Sequence, residues 1–195
     1  MADASEPFRY PKSVHLRRLK PGPYTSYRTY KPHLAREFDG QCVYCRSPDS
    51  LKGTDTFGVD HYRPIKRFPA LACDYANLFY ACNRCNSRKG AYWPVGVEPR
   101  LPNPCDDEMA KHVWYDGPVV VSKSPAGALA EKLLDLNAPD LVVYRTDILE
   151  LVRLARQSLN EIAAQRAGAI GAMLTALDAK EAMASSVLRR LGVRA

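Results

Sequence analysis

Four of the six cysteines fall in two Cys-x-x-Cys pairs, Cys42-Val-Tyr-Cys45 and Cys82-Asn-Arg-Cys85. Together they offer four thiolates, the number and type that a structural zinc ion takes in a closed tetrahedral site. Free or redox-active thiols are the rival reading. The 36 residues between the pairs exceed the commonest zinc-ribbon spacings, so a metal there would pin a real substructure at its base. Inside that substructure stand Asp60 and His61, with Asn77 sixteen residues beyond the histidine and Asn86 nine further on. An imidazole titrates near neutrality and can take a proton from water. Carboxylate and carboxamide oxygens suit a hard divalent ion such as Mg2+ or Mn2+. Base and metal together answer two needs of phosphodiester hydrolysis, an activated water and neutralisation of the charge that builds on phosphorus. Taken singly, each residue also has a plainer reading, a structural histidine or an asparagine that caps a turn.

The elements that must hold these groups are partly legible. Thr56-Phe-Gly-Val-Asp60-His61-Tyr-Arg-Pro64 is β-branched and aromatic and ends at proline, which predicts a strand with the acid and the imidazole at its far end. Neighbours on an ideal strand point to opposite faces, so Asp60 and His61 share one site only if the strand ends or twists sharply there. Cys82 to Lys89 predicts a short helix that Gly90 can end. Arg63, Arg84, Arg88 and Lys89 lie close in sequence to the acid, the imidazole and Asn86, and are candidates for phosphate contact; a solvated basic face is the alternative.

Residues 1–36 are rich in Arg, Lys, Tyr and Pro and read as an extended basic arm, with a short helix near His33–Phe38. Residues 37–100 hold the motifs, and residues 101–195 form a connector followed by helices. In the connector, prolines bracket a strand at Val119–Val121. Leu141, Ile148, Val152, Ala155, Leu159 and Ile162 recur at helical spacing, with Asn137, Pro139 and Asp140 as a start signal, and a second Ala-rich helix covers 167–191. These stripes predict packing surface, not a cofactor site.

Charge is unevenly placed. Residues 1–100 carry 17 Lys/Arg against 9 Asp/Glu, whereas residues 101–195 carry 11 against 12. A basic half suits a polyanionic partner, because phosphates neutralised by Lys or Arg release counterions; solubility alone is the rival explanation. No apolar run approaches the roughly 20 residues of a membrane span, and Met1–Tyr10 does not read as a secretory signal, so the expected compartment is the cytoplasm and no membrane partner is expected. Reduced thiols there favour metal ligation over disulfides. Cys73 and Cys105 lack partners at ligand spacing and read as small buried residues. His15, His33 and His112 read as structural.

Read jointly, Cys-x-x-Cys, Asp-His, Asn, and Cys-x-x-Cys-Asn-x-x-Lys-Gly over residues 42–90 resemble the HNH endonucleases, also called the ββα-metal or His-Me finger fold. Asn86 stands at the third signature place, where many members carry His. Tyr30-Lys31-Pro32 and Asn103-Pro104-Cys-Asp-Asp107 further resemble HNH proteins found beside retron and Septu-type defence ATPases. The resemblance implies His61 as general base, Asp60 and Asn86 as ligands of a catalytic Mg2+ or Mn2+, and Asn77 bonding to backbone across the loop to hold His61. It also implies DNA cleavage to a 5′-phosphate and a 3′-hydroxyl, and docking of an ATPase or other defence-system subunit on the C-terminal helices. The expected fold is therefore α+β: a zinc-stapled ββα-metal finger with a basic Pro-rich N-terminal arm and a C-terminal helical extension. A zinc-ribbon binding module without chemistry would need the knuckles and the charge but not Asp60, His61 and Asn86. An RNA-cleaving effector would use the same site, because those residues address phosphate and not the sugar.

Overall fold

A computed structural model describes residues 7–193 and divides the chain into two compact units, one running Phe8–Ala138 and the other holding the residues from Pro139 onward. The fold is mixed α and β, with two small sheets, four neighbouring cysteines and a C-terminal helical region.

The first unit opens on the basic segment expected to be an extended arm, and the structure packs it down. Phe8 and Tyr10 are buried against Tyr115. Arg17 lays its guanidinium within about 5 Å of the Phe38, Tyr75 and Phe79 rings and donates to the Leu78 carbonyl at 2.8 Å. Helix α1, Lys31–Glu37, starts at Pro32 in its first turn, where a missing N–H costs nothing. It ends on Glu37, which is fully buried and fully bonded. Its carboxylate accepts from the Arg18 and Leu19 N–H groups, from Tyr75 Oη and across the 2.8 Å contact with His15. Burial pushes that carboxyl upward, but the donors outweigh it and hold it at about 2.

A short helix α2, Asp49–Lys52, leads into strand β1, Phe57–His61, which pairs antiparallel with β2, Leu78–Cys82. The register sets Phe57 opposite Cys82 at one end and His61 opposite Leu78 at the other. Every residue of β2 is buried, and Leu34, Phe38 and Phe57 complete the core around it. Helix α3, Asn83–Lys89, follows directly and stops at Gly90, whose φ of 51° a side chain would strain. The unit closes with the hairpin β3, Val113–Asp116, and β4, Val119–Ser122, and with helix α4, Pro125–Leu133, capped by Ser124. Asn137, expected to start the next helix, instead clamps the β4 edge through both backbone groups of Val120.

The second unit is an antiparallel pair, α5, Pro139–Arg166, and α6, Ala172–Arg190, joined through Gly171. Ile148, Val152, Ala155 and Ile162 on one helix and Leu177, Ala184 and Leu188 on the other are among its buried positions, as is the Arg145 side chain on α5. Arg166 bridges the turn to Asp178 and Glu181. Among the described residues no helix is long and apolar enough to cross a membrane.

Candidate metal and phosphodiester site

The predicted thiol ligands gather at one end of the β1–β2 hairpin, and His61, Asp60 and Asn77 stand at the other, with α3 running between the two. At the Phe57–Cys82 end, the sulfurs of Cys42, Cys45, Cys82 and Cys85 lie within 4.8 Å of one another, all buried. The first knuckle is shaped by local bonds, Cys42 N–H to the Ser47 carbonyl and Arg46 N–H to the Cys42 carbonyl, both at 3.0 Å, with Arg46 at positive φ. Val43 N–H then ties it to the Tyr80 carbonyl of β2 at 3.0 Å. The second knuckle is the β2–α3 junction, where Cys82 Sγ accepts from Cys85 N–H at 3.5 Å.

A tetrahedral zinc with bonds of about 2.3 Å spaces its sulfurs about 3.8 Å apart, and Cys45 and Cys82 stand at 3.7 Å. Burial pushes the Cys42 thiol up and sharing with its neighbours pushes up Cys85, while hydrogen bonds led by Cys42 hold Cys45 and Cys82 down. Four buried thiols with protons shared among them fit a dication that would ionise all four. Cys73 and Cys105, expected to be buried, are half-buried and stand outside this cluster.

At the other end, His61 is half-buried and its Nε2 lies 2.9 Å from the Ala72 carbonyl. A carbonyl only accepts, so this bond needs the Nε2–H tautomer and leaves Nδ1 as the basic nitrogen. Ala72 belongs to the loop between the strands, which Asn77 braces. Asn77 Oδ1 accepts from Arg63 N–H at 2.8 Å, and its Nδ2 donates to the carbonyls of Arg63 at 3.1 Å and Leu71 at 3.3 Å. Tyr62 N–H bonds back to the Asn77 carbonyl at 2.9 Å. Asn77 thus spans the loop that carries the imidazole's acceptor.

Asp60 faces the other way, as strand alternation requires. Its carboxylate is buried, accepting from Tyr44 Oη at 2.6 Å and from Lys89 Nζ at 2.9 Å. Burial, with the Asp60 charge alongside, pushes the Tyr44 phenol well up. Lys89, expected among the phosphate contacts, is instead buried, and its ammonium also donates to the His61 carbonyl at 2.6 Å. Asn86, one helical turn earlier, donates from Nδ2 to the Val59 carbonyl at 3.4 Å, so its nitrogen is the engaged atom and its oxygen is the atom that could reach a hard ion. The donor set of Asp60 and Asn86 is chemically right for a hard ion, and a carboxylate with two partners retains acceptor capacity. The Lys89 ammonium on Asp60 opposes a second cation there, so Asp60 is the costlier half of that pair.

The three arginines differ. Arg63 is exposed, with its guanidinium about 6 Å from the Trp93 and Phe68 rings. Arg84 and Arg88, on α3, both reach Asp135 Oδ2, at 3.7 and 2.7 Å. His112 bonds the Ser124 hydroxyl that caps α4, a structural task. Sequence reasoning singled out neither Tyr44 nor Tyr27. Tyr44 sits inside the first knuckle, and a buried strand acid was the only hint that a hydroxyl partner was needed. Tyr27 packs its ring on His61 from a segment 34 positions earlier, for which no sequence signal exists.

The hairpin, the helix and the thiol cluster fall within residues 42–91, which match the model of the HNH endonuclease family. Beyond that domain the chain is similar to two proteins called Septu protein PtuB. One, from Bacillus mycoides (strain KBAB4), is 27% identical over 158 residues, 66% of this chain and 52% of the relative. The other, from Bacillus thuringiensis, is 31% identical over 108 residues, 54% of this chain and 40% of the relative. The chain thus spans about half the length of these curated relatives. No solved structure matches it.

Proposed function

We propose that this chain is a metal-dependent HNH endonuclease that hydrolyses DNA phosphodiester bonds, with His61 as general base. The observation that carries the reading is the 2.9 Å bond from His61 Nε2 to the Ala72 carbonyl, which makes Nδ1 the proton acceptor. In the proposed reaction Nδ1 takes a proton from water as its oxygen attacks phosphorus, and the bond to the 3′-oxygen breaks as that oxygen takes a proton from a solvent water, giving a 5′-phosphate and a 3′-hydroxyl. Asn77 positions His61 through the loop. Asn86 would hold Mg2+ or Mn2+ through its side-chain oxygen, and Asp60 would join it only by giving up its bond to Tyr44 or Lys89 and turning toward the His61 side; the ion would neutralise charge on the transferring phosphate. Cys42, Cys45, Cys82 and Cys85 hold a structural zinc. Arg63, Arg84 and Arg88 meet the phosphate backbone.

The likeness to Septu proteins supports a role in bacterial defence; a cytoplasmic setting and docking of an ATPase or another subunit of such a system on the α5–α6 hairpin are further parts of the proposal. Supercoiled plasmid and total RNA, each incubated with protein stripped of labile divalent ions and then given Mg2+ or Mn2+, test the activity. Plasmid cleavage is expected, falling about 10²–10⁴-fold in His61→Ala with zinc content and melting unchanged. An inert wild type would leave a binding module, cleavage of RNA alone would make the chain an RNA-cleaving effector, and full activity in His61→Ala would remove the assigned base.

A further inference from the structure

We infer that the N-terminal segment supplies two residues of the nuclease site: Tyr27 as a positioning residue for His61, and Arg28 as a phosphodiester-binding residue. The inference rests on the reading of His61 as the base. Three observations carry it. The Tyr27 ring stands 4.7 Å from the imidazole, centroid to centroid, at an interplanar angle of 78°, an edge-to-face pair. The Arg28 guanidinium lies 5.5 Å from the centre of the same Tyr27 ring, and Arg28 is exposed. The segment itself is anchored on both sides of the site: Lys31 Nζ donates to the Thr54 carbonyl just ahead of β1 at 2.7 Å, and Cys73 Sγ lies 3.4 Å from the Thr25 carbonyl.

The last contact matters because Cys73 adjoins Ala72, whose carbonyl fixes His61 Nε2. A single hydrogen bond fixes one ring nitrogen and leaves rotation about the ring torsion, which is broad for an sp³–sp² bond. A second contact nearly perpendicular to the ring removes that freedom, so Nδ1 keeps one direction. The loop supplies the first restraint and the N-terminal segment the second, and the Thr25–Cys73 contact keeps the two restraints in step. Arg28, next in the chain and with its guanidinium 5.5 Å from the centre of the Tyr27 ring, gives this segment an exposed planar donor fork for a phosphodiester presented to Nδ1.

Steady-state cleavage of plasmid DNA by the full chain, with Tyr27→Ala, Tyr27→Phe, Arg28→Ala and His61→Ala side by side, tests this; zinc content and melting temperature are measured on each. Tyr27→Ala is expected to lower kcat roughly 3–10-fold, the rate equivalent of one aromatic pair, with little change in KM. Tyr27→Phe keeps the ring and is expected to restore the rate. Arg28→Ala is expected to act on KM and to reduce the slope of binding against salt by about one. Wild-type kcat in Tyr27→Ala beside a dead His61→Ala would overturn the inference and leave the nuclease standing, as would a Tyr27→Phe as slow as Tyr27→Ala. A wild type that cuts nothing would overturn the nuclease reading itself, and the inference with it.

Discussion

The two ends of the β1–β2 hairpin are built in opposite ways. The thiol end is assembled from two short knuckles, each shaped by bonds within a few residues, and it is buried and closed. The imidazole end is assembled from far-apart pieces: a loop braced by Asn77, the tip of α3 with Lys89, and an N-terminal segment with Tyr27. Helix α3 is the rod between them. It begins at Cys82 in one cluster and seven residues later reaches Asp60 and the His61 carbonyl in the other. The closed end can therefore fix geometry while the open end remains half-exposed for a substrate. The proposed zinc and the proposed chemistry would thus stand about 13 Å of strand apart.

Removing the proposed zinc breaks this division at its base and has the largest expected effect. Structural zinc sites of this type contribute about 10–16 kcal/mol of apparent binding free energy, as much as the roughly 5–15 kcal/mol total stability of a domain. Cys82→Ser, or exposure to a strong chelator, is expected to unfold residues 8–138 and not merely to slow cleavage. Circular dichroism with elemental analysis checks this. Folded, cooperative protein containing no zinc would remove the metal from Cys42, Cys45, Cys82 and Cys85.

The same contrast explains what could be read from residue order alone. The thiol end was legible because its signal is local: Cys-x-x-Cys spacing encodes ligand geometry without reference to the rest of the chain. Strand β1, helix α3 and its stop at Gly90, helix α1, strand β4 and the two C-terminal helices were legible for the same reason, through periodicity, proline and glycine. Strand β3 and helix α4 were not. Val113–Asp116 is too short to show alternation, and the capping serine of α4 stands among prolines that suggested a connector. The open end was legible in residue types but not in partners. Nothing near Asp60 says that Lys89 closes on it, and nothing in a Pro-rich arm says that Glu37 will gather its backbone N–H groups into a buried hub. Such pairings join residues 18 to 29 positions apart and are decided by packing, not by pattern.

Cutting the rod at the open end has an intermediate expected effect. Lys89→Met leaves Asp60 buried with one partner fewer, and removing one member of a buried ion pair costs about 3–5 kcal/mol. Denaturant unfolding is expected to shift by that amount while zinc stoichiometry stays at wild type, since the thiol end is untouched. The variant also sharpens the role of Asp60. If Asp60 binds the catalytic ion, removing the opposing ammonium lowers the Mn2+ concentration needed for half-maximal cleavage. An unchanged metal titration, with cleavage slowed, would make Asp60 a strut that acts only through Lys89 and the His61 carbonyl.

The smallest expected effect lies on the outer face of α3, where the rod meets neither cluster. Asp135 takes both Arg84 and Arg88, so two of the three proposed phosphate contacts face a carboxylate that a phosphate would have to displace. All three side chains are partly exposed, and pairs of this kind contribute about 0–1 kcal/mol, little enough for a nucleic acid backbone to displace. Asp135 itself sits at φ 51°, a left-handed position that asparagine tolerates well, so Asp135→Asn removes the charge without straining the turn after α4. The variant is expected to bind DNA about 2–5-fold more tightly at low salt, the equivalent of one weak surface pair released, with the advantage fading as salt rises. Fluorescence anisotropy across a salt series measures it. Equal affinity at every salt concentration would place Arg84 and Arg88 outside the DNA path and leave Arg63, beside the imidazole loop, as the arginine of the three that meets the substrate.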